Sequence, residues 1–400
     1  MAALPGGAPA KSRRSLIAEP HNGGTANAKI AFLAVIFQGV IMNIVAATKA
    51  CESWAAKRID LVASDIGLKH RYMARASFPF MRATFYRWAM IWPEACPELD
   101  AAPAVLAVGD LHIENFGTWR DGEGRLIWGI NDFDEAFAMP YTIDLVRLAA
   151  SALLAIDGNA LAVDGRQACT TILAGYREAI ADGAARPFVI EELHPALRAM
   201  ALGGERDPAA FWMKFSKLRP IAAPRAVRKL LAKQLPETAE PLRIVHRIAG
   251  LGSLGRPRYL ELAVDRGSMI AREAKAVLPS AYAWARKARE DRLFYDAIVA
   301  RSSRADDPFI KIKKGWLLRR IGPHCSRIEL ADLPKERDGM HLLHCMGRET
   351  ANVHLGTASS AAAIRRDLKR RGRHWLHAAA HKMAAASRAE WHESRAAAAG

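Results

Sequence analysis

Gly109-Asp110-Leu111-His112-Ile113-Glu114-Asn115, followed after a turn by Ile130-Asn131-Asp132-Phe133-Asp134, decides how this chain is read. An aspartate and an asparagine stand five positions apart, and a second aspartate ends a short strand-like stretch, Arg125 to Ile130. Phosphoryl transfer uses this set of groups. One carboxylate orients the attacking hydroxyl and takes its proton, while an amide oxygen and another carboxylate hold magnesium ions that neutralise phosphate charge. The spacing makes Asp110 the candidate catalytic residue and Asn115 and Asp132 candidate metal ligands, with Asp134 assisting. An Asp-x-x-x-x-Asn pair alone is common in solvated loops. The strand and the Asp-Phe-Asp tip set this one apart.

Working outward, Val105 to Val108 is an apolar run that reads as a buried strand entering Gly109. Trp119 to Gly124 contains Asp121-Gly122 and a second glycine, a hairpin signal that folds Asp132 back towards Asn115. After Pro140, Ile143 to Ile156 reads as a buried helix with Asp144 near its start, where a carboxylate can take up backbone N–H groups. Residues 160–182 read as another helix. Residues 187–240 read as helical, broken by Gly203-Gly204, Pro208, Pro220 and Pro224, and carry no evident chemistry. Upstream, Arg71 to Trp92 interleaves aromatic and basic residues. Such a segment can stack on bases, but it is more often core on one face and basic surface on the other.

The second half changes character. Leu242 to Ile248 alternates as a strand, Gly250-Leu251-Gly252-Ser253-Leu254-Gly255 follows, and Arg258 to Val264 reads as a second strand. A dinucleotide fingerprint needs a helix after its glycines, and Pro257 with the strand pattern opposes one. Strand, glycine loop and strand is the arrangement that covers ATP phosphates in kinases. Met269 to Lys275 is the next strand and brings Lys275, with Arg272 as a rival. Pro279 to Val299 reads as one helix carrying Glu290. Glu273 and Glu290 are alternative partners for the lysine. Two further strands, Phe309–Ile312 and Trp316–Ile321, some extended structure at Ser326–Leu330, a helix from Met340 to Leu355 and a long basic helix from Arg365 to Arg395 complete the reading.

Four hundred residues with 51% hydrophobic content can bury ample core. The net charge of +17 favours anionic ligands without choosing among nucleotides, phosphorylated small molecules, nucleic acid and acidic membranes. Five cysteines, an odd number with no Cys-x-x-Cys, argue against a disulfide framework and a structural zinc site. His341, His344 and His354 read as helix-face histidines rather than ligands. Residues 1–28 have the composition of a disordered segment. Ile30 to Ala47 is apolar and near the minimum length of a membrane span. It is an anchor, a buried helix, or part of an extension upstream of a true start at Met42.

Together these motifs resemble the protein-kinase-like superfamily, in particular the aminoglycoside-phosphotransferase branch, whose catalytic loop reads His-Gly-Asp-Leu-x-x-x-Asn and whose metal strand reads Ile-Asp-Phe or Ile-Asp-Trp. Here Val108 stands in place of that histidine, and Asn131 separates Ile130 from Asp132. More closely, residues 42–390 resemble a bacterial kinase-like family catalogued as domain of unknown function 2252. The shared features are Ser77-Phe78-Pro79-Phe80 with Arg82, the two opening motifs, Pro140 with Asp144-Leu145 and Arg147-Leu148, and the late glycine loop with its lysine. In ordinary kinases the glycine loop precedes the catalytic loop, whereas here it follows. The resemblance therefore implies a circularly permuted fold, with Leu342 to His354 as the helix that normally leads into the catalytic loop.

The expected fold is α/β (α+β), two-lobed and kinase-like. Its expected parts are an extension at 1–41, a catalytic lobe at 42–240, a glycine-loop sheet lobe at 241–335 and helices at 336–400 packing back on the catalytic lobe. The resemblance implies ATP and Mg²⁺ as cofactors and transfer to an unidentified hydroxyl acceptor. Asp110 would be catalytic, and His112 would position the loop or serve as a structural hydrogen bond. Asn115, Asp132 and Asp134 would hold metal. Gly250, Gly252, Ser253, Gly255 and Lys275 would bind the cofactor, and Asp144 would brace the loop. A cytoplasmic location is expected, with membrane contact only through residues 30–47. The alternatives are a regulatory pseudokinase and a basic nucleic-acid-binding protein using Arg82, Arg87 and the carboxyl-terminal tail.

Overall fold

In the computed structural model, residues 42–183, 186–191, 194–201, 207–289, 291–325 and 336–399 are described. The expected disorder at 1–28, most of the apolar segment, Glu290 and the Ser326–Leu330 stretch lie outside them. The fold is mixed α/β, largely helical, with small antiparallel sheets. Among the described residues no helix is long and apolar enough to cross a membrane.

The chain opens with α1 (Ile44–Ala56), α2 (Ala63–Arg75), α3 (Ser77–Ala83), α4 (Phe85–Ala95) and α5 (Pro97–Asp100). The aromatic side chains of the interleaved segment are mostly core: Phe80, Phe85, Tyr86, Trp88 and Trp92 are all buried. Next come β1 (Ala104–Ala107), β2 (Phe116–Arg120), β3 (Leu126–Ile130) and β4 (Phe137–Pro140). β1 pairs with β4, and β2 and β3 form the expected hairpin, placing Phe116 opposite Ile130. The chain continues into α6 (Tyr141–Asp157), α7 (Gly165–Asp182) and β5 (Phe188–Val189). α6 is apolar nearly all round and buried on nearly every side, as such a helix must be. α7 starts where the Asp164 side chain accepts the Gln167 N–H at 2.9 Å and ends at Gly183 in the left-handed region.

Three short helices follow, α8 (Pro195–Ala201), α9 (Pro208–Ser216) and α10 (Arg225–Ala232), and then the second sheet. Its strands are β6 (Ala239–His246), β7 (Arg258–Asp265), β8 (Ser268–Ala276), β9 (Lys311–Lys313) and β10 (Trp316–Ile321), in spatial order β6-β7-β8-β10-β9. Strand alternation divides this sheet chemically. One face carries Ala274 and Leu318 and is covered by Val227 and Leu231 of α10. The other begins apolar, with Val245, Leu260 and Ile321 against Phe215. Towards the helical part it becomes charged, with Arg258 opposite Lys275 and Leu260 opposite Glu273, and Arg319 also opposite Glu273.

Between β8 and β9 lie α11 (Ala281–Ala285) and α12 (Tyr295–Arg301) rather than the single helix expected over Pro279–Val299. The run Arg286 to Arg292 offers no apolar stripe to bury, and Lys287 takes a left-handed φ of 52° just after α11. The basic tail is likewise two helices, α14 (Ala361–Arg370) and α15 (Trp375–Ala399), parted around Gly372. Before them runs α13 (Glu336–Leu355), which crosses α7 at very close range. A Cβ at Gly175 would lie 2.1 Å from the His344 carbonyl oxygen, and one at Gly347 would lie 2.0 Å from that of Ile172. Two glycines therefore seat the late helix against the early one, and α13 brings His354 against Asp144 and Glu349 against β3.

Candidate active site

β1 delivers the chain to Gly109, whose φ is +85° and whose missing Cβ would lie 2.6 Å from the Glu135 carbonyl oxygen. The buried Asp144 carboxylate holds the turn from α6, accepting the N–H groups of Val108 at 2.7 Å and Gly109 at 2.8 Å. His354 of α13 lies with Nε2 2.9 Å from Asp144 Oδ2 and with Nδ1 2.9 Å from the Tyr176 hydroxyl. An ionised Asp144 makes Nε2 the protonated nitrogen, leaving Nδ1 to accept from the tyrosine.

Asp110 follows directly. Its Oδ1 accepts from Arg147 Nε at 2.8 Å and also from the same guanidinium's NH2. Arg147 is wholly buried, lies over the rings of Phe85 and Trp88, and gives a further hydrogen bond to the Met81 carbonyl at 2.9 Å. His112 is buried in the turn and accepts the Glu114 N–H at 3.2 Å through Nδ1. Asn115 ties the two loops together, since its Nδ2 donates to the carbonyls of Asp110 at 3.1 Å and Asp132 at 3.2 Å.

Lys275 is fully buried at the end of β8, with Nζ 2.7 Å from Asp134 Oδ2 and 3.4 Å from Asp132 Oδ1. Arg256 NH1 reaches Asp134 Oδ2 at 3.0 Å, and its NH2 reaches Glu135 Oε1 at 3.1 Å. Burial disfavours the charge on Asp134, but Lys275 and Arg256 outweigh it and hold the carboxyl well below the usual carboxylate range. Burial and then the Asp134 charge push Asp132 the other way, upwards. The rival Arg272 lies on the opposite face of β8, donating to Gln234 and covering Phe309. Glu273 does not serve Lys275: Arg247 at 2.6 Å, Arg258 at 3.1 Å and Arg319 at 2.7 Å take up its carboxylate. These arginines overcome its burial and hold it well below its ordinary range.

The glycine segment forms a tight 3-10 turn, Leu251–Ser253, between β6 and β7. Ser253 Oγ accepts from Arg258 NH2 at 2.8 Å. At Gly252 a Cβ would lie 3.1 Å from the Arg82 carbonyl oxygen and 3.2 Å from Asp110 Oδ2, so the turn sits on the candidate catalytic carboxylate. Gly255 faces elsewhere, with φ +94° and Ile66 of α2 filling the space beside it.

Asp110, His112, Asn115, Asp132, Asp134, Gly250, Gly252 and Ser253 all line one cavity of about 1230 Å³ between the helical part and the second sheet. Lys275 reaches its aspartates from the wall behind, and Gly255 backs onto α2. Sequence reasoning gave no role at the site to Arg147, Arg256, Arg319 or His354. Arg147 had a signal, because it stands three positions after Asp144 on the same helix face. Asn115 Oδ1 and Asp134 Oδ1 are buried and receive no N–H or O–H donor among the described residues. With Asp132 they form a set of hard oxygen donors suited to Mg²⁺.

Residues 61–200 match the family described as an uncharacterized protein conserved in bacteria, DUF2252. The DUF2252 match takes in the two loops bearing Asp110 and Asp132 together with Asp144 and Arg147, and it ends before the glycine turn and Lys275. No curated protein and no solved structure matches the chain.

Proposed function

We propose that the chain is an ATP- and Mg²⁺-dependent phosphotransferase acting on a hydroxyl acceptor, built on a circularly permuted, kinase-like fold. The observation that carries this reading is Lys275. It stands on the third strand of a strand–glycine turn–strand–strand unit, 2.7 Å from Asp134 and 3.4 Å from Asp132, two carboxylates that line the cavity together with Asp110 and Asn115. Kinases place a phosphate-binding lysine at that strand position, opposite a metal-binding aspartate and asparagine. The permutation is supported by α13, which returns from the late part of the chain to put His354 against Asp144.

Asn115 Oδ1, Asp134 and Asp132 would hold Mg²⁺, which would neutralise nucleotide phosphate charge. Among the described residues no group of three or more His, Cys, Asp or Glu forms a metal site by itself. Mg²⁺ commonly completes its shell with water and substrate phosphate rather than with protein alone. Lys275 would bind phosphate oxygens, and the glycine turn would cover them. Asp110 Oδ2, the oxygen on the Gly252 side, would orient the acceptor hydroxyl. ATP would supply the terminal phosphoryl group, its bond to the bridging oxygen breaking as the acceptor oxygen bonds to phosphorus, and Asp110 would take the hydroxyl proton as the nucleoside diphosphate leaves. Positioning and charge stabilisation would supply the rate.

Thermal unfolding of the full chain with ATP, ADP and GTP, each with and without Mg²⁺, tests this, with Asp132→Ala as control. The expected result is a Mg²⁺-dependent rise in Tm that the variant loses. No rise with any nucleotide overturns the reading. A regulatory nucleotide-binding role is the second reading, favoured by the contact of the glycine turn with Asp110. Mg²⁺-dependent binding without transfer of the terminal phosphate to any acceptor would select it.

A further inference from the structure

The lining of the same cavity includes Trp54, Phe85 and Tyr86, an aromatic group here called its arm. α2 turns three residues inwards at helical spacing, Asp65, Lys69 and Met73. Asp65 is satisfied by His246 Nε2 at 2.9 Å. Lys69 is 8% exposed, lines the cavity and lies 5.9 Å from the centre of the Tyr86 ring. Among the described residues its ammonium has no ion-pair or hydrogen-bond partner.

The anions nearby are already engaged. Glu52 is 2.7 Å from His70 Nε2. Glu135 accepts from Arg256 at 3.1 Å, from Ser280 Oγ at 3.2 Å and from the Ala281 N–H at 2.5 Å. Burial pushes the Cys51 thiol up to about 12, so it stays neutral beside the lysine. Burial lowers the Lys69 pKa in spite of the longer-range pull of Glu52 and Glu135, and an anion bound beside the ammonium relieves that cost. Lys69 shares the cavity with Arg256, the side chain that holds Asp134.

We propose that this arm is the acceptor subsite and takes a small hydroxyl compound bearing a carboxylate or phosphate, with Lys69 binding that anion. The assignment of an acceptor rests on the phosphotransferase reading, whereas the anion site itself does not.

Calorimetric titration of the full chain tests it, using glycerol 3-phosphate, glycerate and uncharged glycerol, each with and without a non-hydrolysable ATP analogue and Mg²⁺. At least one of the two anions should bind, glycerol should not, and the analogue should not displace the anion. Lys69→Met and Lys69→Gln should weaken the anion by about tenfold or more, as expected for losing a charged hydrogen bond. Lys69→Arg should restore most of the affinity, and nucleotide binding should be unchanged in all three variants. Two variants guard against one that fails to fold. Anion binding that is absent, indifferent to Lys69 or competed away by the nucleotide analogue overturns the proposal. Lys69-dependent anion binding in a chain that binds no nucleotide supports the anion site and removes the phosphotransferase reading instead.

Discussion

Arg147 and Asp110 form a two-pronged contact in which the arginine has no exposed surface and its Nε lies 2.8 Å from Asp110 Oδ1. The guanidinium is fixed on its other side by the rings of Phe85 and Trp88. One carboxylate oxygen of the candidate catalytic residue is thereby committed, and the other faces the cavity.

Arg147→Met should cost about 3–5 kcal/mol of stability, the usual penalty for removing one partner of a buried pair. Arg147→Lys should recover only part of it, because an ammonium cannot reproduce the planar fork. Urea denaturation of both variants measures this. A loss below about 1 kcal/mol in the methionine variant would contradict a structural role for the pair.

Asp144 satisfies two buried backbone N–H groups and His354 at once. Asp144→Ala should therefore destabilise the fold by at least about 3 kcal/mol, since each orphaned buried donor costs about 1–3 kcal/mol. Hydrogen exchange should locate the damage, with the Val108 and Gly109 amides losing protection first.

Glu349 gives a pH signature. Its Oε1 accepts the Ile130 N–H at 3.2 Å beneath β3. Burial pushes its carboxyl up to about 7, against the opposing pull of Asn352, Arg304 and that N–H. A carboxyl raised in the folded state favours folding at low pH. Its contribution is complete below the unfolded value near 4.5 and disappears as pH rises through about 7. Unfolding free energy should fall by roughly 2–3 kcal/mol over that window. Glu349→Gln should flatten this component of the profile, as denaturation at pH 5, 6, 7 and 8 would show. Equal slopes in both proteins would refute it.

The glycine turn should separate two kinds of glycine. Gly255→Ala combines a φ of +94° with a Cβ 2.2 Å from Ile66, and should cost at least about 1–3 kcal/mol. Gly252→Ala meets its neighbours at 3.1–3.2 Å and should change stability by less than about 1 kcal/mol, while shifting the turn off Asp110. Its effect should fall on ligand binding rather than on Tm. The reverse order of Tm losses would show that the turn is seated differently.

The meeting of the Asp110 and Asp132 loops was legible because its signals are local. The Asp121-Gly122 turn and the flanking apolar runs force the hairpin, and the hairpin brings Asp132 to Asn115. Arg272 stayed a rival to Lys275 in the sequence: alternation puts the two on opposite faces, but which face borders the cavity depends on α10 covering the other. The glutamate question was not legible, because Arg247 just beyond β6, Arg258 of β7 and Arg319 of β10 converge on Glu273 only once the sheet is assembled. Arg256 and His354 were given no role at the site for the same reason. Each meets its carboxylate across more than a hundred residues, and no short-range pattern marks such a contact. The helix expected over Pro279–Val299 failed because helix-forming residues without a buried face do not sustain a helix.

The crossing of α13 over α7 also dictates a timetable. The loops bearing Asp110 and Asp132 leave the ribosome long before Lys275, Glu349 and His354 exist. At about 5–20 residues per second the delay to His354 is roughly ten to fifty seconds. Until residue 275 is made the nascent chain carries Asp132 and Asp134 without the lysine that will pair them, and until residue 354 it lacks the full helix that will prop their loops. A chain interrupted before residue 336 would hold every acidic group of the site and none of the α13 struts that set them in place.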